Sequence, residues 1–567
     1  MVLVASFALA FALPQVQSPV QGPTAQGPTP DARVEELRAA ARELAAIGVD
    51  VDASKVAVRD LGDDELIAQL SRTTSELFGA EWFPMLWLAL HALGLPVEST
   101  PDDFRRDYVS GTLDAQVAWY APQERAMLLR RRRPPGTDLG LLFAHELVHA
   151  AQEQREGLGK LFAQLGHTTD GALLARCLTE GEAVAAAEAV RLRRDHQDLG
   201  STPPARYDVT PEEEADHAML LHYALGRAYA VRAFRRGGWA AVRAALAKPP
   251  ANAAEFAHPD RSDWSFAPKL ALPKWPESAD KVKELRDDTW GELGLRLLLR
   301  FVSDRSTAVR LASVGWRGDA MRVFRTEQGG YAFVWRIAFD RVEDAAQFTA
   351  LLGDRKLGKV AVRADAKSSE VDWALGDSEA NTLVLAQLLA QTDMPPPASA
   401  AAIAATAACE AAIESESPRV VDGRWLLPRL GVSLPVPDGF EPDERKGIPV
   451  MFAPVAKDAD AEVFRDNVVA VAPPALAATL AEEVEGVRKR LVDAGATMVA
   501  AEVRQVGGRD VAWLEYSSRD GTRKLHHVEV QWLRDGGKVA IAGTALEGRW
   551  AAIGPRLAQV LRELRFQ

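Results

Sequence analysis

The string His145-Glu146-Leu147-Val148-His149 sets two imidazoles four residues apart with a carboxylate between them. On a helix, positions i and i+4 project from one face. That spacing lets both rings bind one Zn²⁺, while Glu146 sits about 100° round the axis, at the rim of the site. There it takes a proton from a zinc-activated water, the chemistry of a metal-dependent hydrolase. The flanks, Leu141-Leu142-Phe143-Ala144 and Ala150-Ala151, hold no Pro or Gly and predict a helix that runs through the core.

A catalytic zinc site takes three protein ligands and keeps one position for water. The segment 170–194 is rich in Ala and Leu and ends in basic residues, which suit a helix C-terminus. It contains Glu180, Gly181 and Glu182. Two residues apart on a helix is roughly 200°, so only one of the two glutamates faces the metal, and periodicity does not choose between them. Cys177, one turn before Glu180, is a further candidate; its plainer reading is a small buried hydrophobe. Hydrolysis of an amide creates an oxyanion, which a Tyr hydroxyl or a His cation near the metal stabilises. Tyr223 and His258 are the candidates, with His222 behind them. The alternatives are a core tyrosine bonded to backbone and a turn or helix-cap histidine before Pro259.

The strings HELVHAAQ (145–152) and TEGEA (179–183) resemble the gluzincin class of zinc metallopeptidases. In that class the Glu directly before the Gly is the third ligand, so the resemblance implies Glu180, with Glu182 beside the site or at the surface. Residues 110–265 are similar to a group of uncharacterised bacterial metallopeptidases. Their shared pattern continues here as Tyr223-Ala-Leu-Gly226, Gly237-Gly238-Trp239, Pro249-Pro250 and His258-Pro259. That group has Pro-Tyr where this chain has His222-Tyr223, which leaves the role of His222 open. Residues 115–129 read as two short strands around a turn at Pro122. In zincins such an edge holds the substrate peptide by strand addition. The arginines at 130–133 could steer an acidic substrate or form a solvated loop.

The helices positioning these groups begin with an amphipathic one at 32–47 and two more segments across 63–94, all expected to pack on the zinc domain. Beyond 280, Trp316, Asp319, Trp335, Asp340, Asp344 and Phe348 match a further pattern of the same bacterial group and predict an α+β subdomain. Glu292 there could point at the site, though a surface helix residue is the plainer reading. Pro395-Pro396-Pro397 and an Ala-rich stretch mark a linker. Residues 424–567 alternate strands between two amphipathic helices. Their opening PVPDGF, their F-x-D-N-V and their closing helix resemble the PsbP/Mog1-like sandwich of exported bacterial proteins, a fold that implies a partner-binding role. His526-His527 lacks ligand-spaced neighbours and is not expected to bind metal.

With 567 residues, 47% apolar and 26% charged, the chain has the composition of a folded multidomain protein. A net charge of −12 argues against a dedicated nucleic-acid binder. Two cysteines exclude a disulfide-dense scaffold. Residues 2–13 are apolar but too short to span a bilayer. With the Pro/Gln/Gly stretch that follows, they resemble a secretory signal and tether, so export is expected, with a cytoplasmic location as the alternative.

The fold expected is multidomain. Residues 1–31 form the signal-like tether. A mainly α (α+β) zincin-like metallopeptidase domain spans 32–279. An α+β subdomain follows at 280–395, a linker at 396–423 and a C-terminal α/β/α sandwich at 424–567. The expected function is zinc-dependent hydrolysis of a peptide or protein substrate, with a possible protein partner at the sandwich. The alternatives are a non-catalytic, zinc-stabilised binding protein and a zinc hydrolase of a non-peptide amide.

Overall fold

A computed structural model describes residues 30–567 without 79–80, 93–99, 116, 132–136, 195, 201–220, 259–269, 271, 276–281, 301, 304, 327–329, 353–360, 365–368, 377–378, 393–394, 396, 446–447, 454–464, 473–478 and 535–536. Of the expected signal and tether, residues 1–29 lie outside the described residues, as do Arg132, Arg133 and Pro259, while residues 30 and 31 open the first helix.

The first part of the chain runs α1 (Pro30–Ala46), β1 (Ala57–Leu61), α2 (Asp63–Phe78), α3 (Trp82–Ala92), α4 (Pro101–Ala115), β2 (Ala118–Ala121), β3 (Ala126–Arg130), α5 (Leu139–Arg155), α6 (Leu158–Leu165), α7 (Thr169–Arg194), α8 (Leu221–Ala247) and α9 (Ala253–Ala257). The strands form a three-stranded sheet of order β1-β3-β2. β3 is parallel to β1 and antiparallel to β2, which leaves β2 at an edge. Asp138 caps α5, its side chain accepting from Leu141 N. Phe143, Leu147 and Val148 of α5 are fully buried against Met127 and Leu129 of β3 and the alanines of α7. Burial of each such side chain contributes about 1.5–3 kcal/mol. The apolar flanks of the His-Glu motif therefore lock its helix into the core. α8 is broken at Gly237 and Gly238, the latter at φ 62°, a left-handed conformation that favours glycine. The break lets Trp239 donate from Nε1 to Ile47 O at 2.6 Å, tying α8 to the end of α1.

The second part comprises β4 (Val282–Asp288), α10 (Gly291–Arg300), α11 (Ser306–Val314), β5 (Trp316–Thr326), β6 (Tyr331–Phe339), α12 (Val342–Leu352), β7 (Ala361–Ala364), β8 (Glu370–Leu375) and α13 (Glu379–Gln391). Its five strands, all antiparallel, follow the order β4-β5-β6-β8-β7. Trp290, Trp316, Trp335 and Trp373 fill one hydrophobic core together with Leu66, Phe83, Met85 and Leu88 of α2 and α3. The boundary expected at 280 is thus crossed by a continuous core: α2 and α3 have their apolar face on this sheet. Asp319 explains the tryptophan pattern. It accepts hydrogen bonds from Trp290 N, Gly291 N, Trp316 Nε1 and Trp335 Nε1, all at 2.9–3.0 Å.

The stretch expected as a linker is instead a 17-residue helix, α14 (Ala400–Glu416), capped by Ser399. Thr406 donates to Asp340 at 2.6 Å, and Glu410 pairs with Arg341, which also holds Asp344. Alanine is the strongest helix former, and that propensity outweighs the breaker signal of the nearby prolines.

The last part runs β9 (Arg419–Val421), β10 (Arg424–Leu427), β11 (Val432–Pro435), β12 (Glu441–Arg445), β13 (Ile448–Phe452), β14 (Asn467–Val471), α15 (Leu480–Asp493), β15 (Thr497–Val506), β16 (Arg509–Asp520), β17 (Arg523–Arg534), β18 (Gly537–Leu546), α16 (Trp550–Arg562) and β19 (Arg565–Phe566). A seven-stranded antiparallel sheet has the order β12-β13-β14-β18-β17-β16-β15, beside a small sheet β19-β11-β10-β9. Alternation along β16 sorts the layers. Val511 and Trp513 join the core of α16 and the small sheet, while Ala512, Leu514 and Tyr516 pack with α15. The helices therefore cover opposite faces, with the small sheet added on the α16 side. His526 does have acidic neighbours, which strand pairing brings from a distance. Its ring lies 3.1 Å from Glu515 and 3.3 Å from Glu547.

His527 stacks on Tyr516 and bonds Ser518 and Thr544. Burial, with His526 adding to it, holds its pKa down at about 4 against an ordinary 6.5. A histidine with a depressed folded pKa binds its proton more readily in the unfolded chain. The stability it contributes is whole above pH 6.5 and is lost as pH falls toward 4. Calorimetry of the full chain should show the melting of this part moving to lower temperature across that window. His527→Gln should flatten the dependence; an unchanged slope in the variant would refute the assignment.

Candidate metal centre

The motif helix α5 and the helix α7 cross so that three side chains converge. His145 Nε2 and His149 Nε2 lie 3.2 and 3.4 Å from Glu180 Oε2. Among the described residues, His145, His149 and Glu180 are the group of three whose ligand atoms all fall within 4.8 Å of one another. Glu180 Oε2 is buried and has no hydrogen-bonded donor. A buried carboxylate oxygen left without a donor is costly, and a cation between it and the two rings removes that cost. Burial pushes the Glu180 carboxyl up, yet the imidazoles of His149 and His145 outweigh it and hold the group well below its ordinary range. Burial likewise works against charge on His149, but Glu180 and Glu146 raise its pKa to about 9. With the His149 proton displaced by a metal, the donor set would be an ionised carboxylate and two neutral rings, a set that suits Zn²⁺.

The tautomer of His149 follows from a chain of partners. Gln152 donates from Nε2 to Thr179 O and to Glu182 Oε2, both at 2.9 Å. Its Oε1 must then face the 3.0 Å contact with His149 Nδ1, so Nδ1 carries a hydrogen and Nε2 is the nitrogen turned to Glu180, the one a metal would take in exchange for its proton. Glu182 is wholly buried and accepts two hydrogen bonds from Arg155, each 3.0 Å. Of the two glutamates, Glu180 therefore faces the cluster and Glu182 supports it from inside the core. The sequence reading did not single out Gln152 or Arg155. The spacing of Gln152, three residues after His149, was the available signal.

Glu146 stands beside the rings and is buried, which raises its pKa. Its Oε2 accepts from Tyr120 N at 2.8 Å. Arg130 N donates to Val117 O, so the alternating ladder of β2 and β3 turns the Tyr120 N–H outward from the sheet, toward α5. Tyr223 of α8 lies with its ring centroid 6.5 Å from that of His145. Burial, with Glu180 nearby, pushes the Tyr223 hydroxyl well above its ordinary pKa, so it remains a donor. His222 is buried beside it with Nε2 unpaired, and burial drives its pKa well down.

Two glycines set these positions. A Cβ on Gly181 would overlap the carbonyl of Gly226, and a Cβ on Gly226 would overlap the carbonyl of Cys177. α7 and α8 thus touch backbone to backbone, one residue from Glu180 and three from Tyr223. Cys177 is fully buried in this contact, and burial pushes its thiol pKa up. The start of α7 is anchored by the turn before α10. Thr169 donates from N and Oγ1 to Asp288 at 2.6 and 2.7 Å, and Asp170 N donates to Thr289 O. Gly291, at φ 71°, leaves room for the Asp170 carboxylate that a Cβ would meet.

His258 goes elsewhere. It ends α9, and its Nε2 lies 2.8 and 3.1 Å from the two carboxylate oxygens of Glu292, with Arg296 on the same carboxylate. A ring committed to a buried acid is not offered to a substrate oxyanion, so the catalytic role expected for His258 is withdrawn. Glu292, expected at the surface, is 1% exposed. Arg130 pairs with Asp63 rather than facing a substrate.

Known proteins bear on parts of this chain. A family described as a domain of unknown function (DUF8575) matches residues 280–387. No curated protein matches the chain. Among solved structures, it is similar to cyanobacterial PsbP (CyanoP) from Synechocystis sp. PCC 6803, at 17% identity over 25% of this chain and 91% of that one, with a TM-score of 0.20. It is also similar to LpqN, involved in cell envelope biogenesis of Mycobacterium tuberculosis, at 15% identity over 24% and 83%, with a TM-score of 0.20. Among the described residues, no helix is long and apolar enough to cross a membrane.

The glycine contact yields a signed test. Gly226→Ala should lower stability by about 1–3 kcal/mol or more, since backbone has to move. Gly159→Ala, in the open on α6, should be neutral or stabilising by up to about 1 kcal/mol. Urea unfolding of both variants checks the contrast; equal effects would contradict the close approach.

Proposed function

We propose that this chain is a zinc-dependent peptidase of gluzincin type. The observation that carries the reading is the buried, donor-less Glu180 Oε2 set between His145 Nε2 and His149 Nε2, with Glu146 alongside. His145, His149 and Glu180 would hold the metal, which supplies Lewis acidity toward the scissile carbonyl and lowers the pKa of water. The chain's own residues do the rest. Glu146, with Oε2 held by Tyr120 N, keeps Oε1 to accept a proton from the attacking water and return it to the leaving amine. Tyr223 donates its hydroxyl to the developing oxyanion. Gln152 keeps the His149 lone pair on the ligand side. The edge strand β2, beside Glu146, gives an extended peptide a strand to pair with, which favours peptides over small amides as substrates.

The apolar run at residues 2–13 supports an exported enzyme, and the C-terminal sheet and its helices fit a role in binding a protein partner.

Glu146→Gln should leave bound zinc near one equivalent while cutting peptide hydrolysis by about 10²–10⁴-fold, the scale of a lost general base. Zinc by atomic absorption and cleavage of a mixed peptide library measure the two separately. A wild type that holds zinc but cleaves nothing would favour the binding-protein alternative, and a wild type that holds no zinc would end the reading. Gln152→Leu should weaken zinc about 10–100-fold in competition with a chelator. Unchanged affinity would remove Gln152 from the site's support.

A further inference from the structure

The seven-stranded sheet ends at β15, and among the described residues no strand lies beyond it. The opposite end is guarded. β12 carries Pro442, its Glu444 accepts from Thr307 N at 3.2 Å, and its Asp443 lies 3.2 Å from Arg305. Which backbone groups β15 offers outward follows from its turn. Gly507 and Gly508, at φ 57° and 81°, make a two-residue connection to β16 of the type that has positive φ at both positions. In such a hairpin the pair flanking the turn, Val506 and Arg509, exchanges hydrogen bonds, and bonding alternates from there. Arg504 and Glu502 therefore bond to β16, while Gln505, Val503 and Ala501 turn their N–H and C=O groups away from the sheet. The edge is regular only from Ala500 to Val506, because a bulge interrupts the ladder between Met498 and Ala500 and the turn begins at Gly507. Val503 is the centre of that stretch.

We propose that β15 pairs antiparallel with the β15 of a second copy of this chain, about a two-fold axis through Val503. A row of free N–H and C=O groups is a template for a further strand. In this register Val503 faces its own counterpart and Ala501 faces Gln505, so the outward residues exchange roughly six backbone hydrogen bonds. Glu502 falls opposite Arg504 on both sides of the axis. These two side chains share the face of the sheet that bears Trp513, over whose ring the Arg504 guanidinium lies at 4.9 Å, and they pair along their own strand. Across the axis the four charges alternate in sign, so each gains a second opposite neighbour. Other symmetric registers lack this match. Centring on Glu502 or on Arg504 sets like charges face to face. Centring on Ala501 or on Gln505 makes no charge pair and runs Val503 onto the bulge or the turn. On the other face Val503, 44% exposed, would be covered by its counterpart. The strand is thus complementary to its own reversed copy, and a two-fold contact of this kind closes on itself instead of growing into a fibre. The proposal narrows the partner-binding role of the C-terminal sheet to self-association through one strand.

Sedimentation velocity of the full-length chain over about 1–200 μM should show monomer passing into dimer, the behaviour of a small, transient interface. Glu502→Arg and Arg504→Glu each set like charges opposite one another and should weaken the dimer about tenfold or more. Mixed in equal amounts, the two variants should associate with each other about as tightly as the wild type does with itself, because every facing pair is then opposite in sign. Val503→Pro removes an N–H that β16 does not use, so it should keep the fold, checked by circular dichroism, and abolish the dimer. If that variant does not fold, the charge variants decide. A chain that stays monomeric throughout would overturn the proposal and leave β15 open to a strand of another protein. A dimer that neither charge variant weakens, or a mixture that does not restore it, would also overturn it. These residues lie outside the metal centre, so zinc content and peptide hydrolysis should be unchanged in every variant. Failure here would leave the peptidase reading standing.

Discussion

The candidate metal centre depends on two helices meeting without side chains between them. At Gly181 and Gly226 the backbones of α7 and α8 are in contact, and either Cβ would overlap a carbonyl. Glu180 and Tyr223 are carried within one turn of that contact, on opposite partners. A larger residue at either position would separate the helices and draw the ligand away from the tyrosine. The glycines in the motifs are therefore distance-setting residues, and their helix-propensity cost of about 1 kcal/mol each is offset by the packing they permit.

Around this contact the protein buries polar groups, and the partners of several of them orient the cluster. Glu182 would be costly in the core alone. With Arg155 and Gln152 it becomes the fixed end of a line that reaches His149 Nδ1. Removing Arg155 would leave a buried carboxylate uncompensated, a loss of about 3–5 kcal/mol. Asp288 and Asp319 act likewise on the other side. Asp319 gathers two indoles and the first amides of the turn into α10, and Asp288 receives the first residue of α7. The stretch matched by the family of unknown function, residues 280–387, thus buttresses the helix that presents Glu180.

Much of the site was legible as residue types at fixed spacing. A helical pair four apart must share a face, so His145 and His149 could be read together. The strand pair around Pro122 and the helix carrying Glu180 also followed local pattern. The errors lie where local pattern meets a distant surface. The Ala-rich segment between prolines reads as a linker, but α14 finds Asp340 and Arg341 to dock on. Position 280 reads as a boundary, but the apolar faces of α2 and α3 are completed by tryptophans that come more than two hundred residues later.

The order of residues along the chain was enough to nominate the two rings, the base between them and a glutamate ahead of a glycine, because helical periodicity is a local property of the backbone. Which glutamate turned inward, why Gln152 matters, and that His258 serves Glu292 instead of a substrate were settled by packing. Those outcomes depend on which buried polar groups come within hydrogen-bonding distance once distant helices close on one another, and no local period encodes that distance.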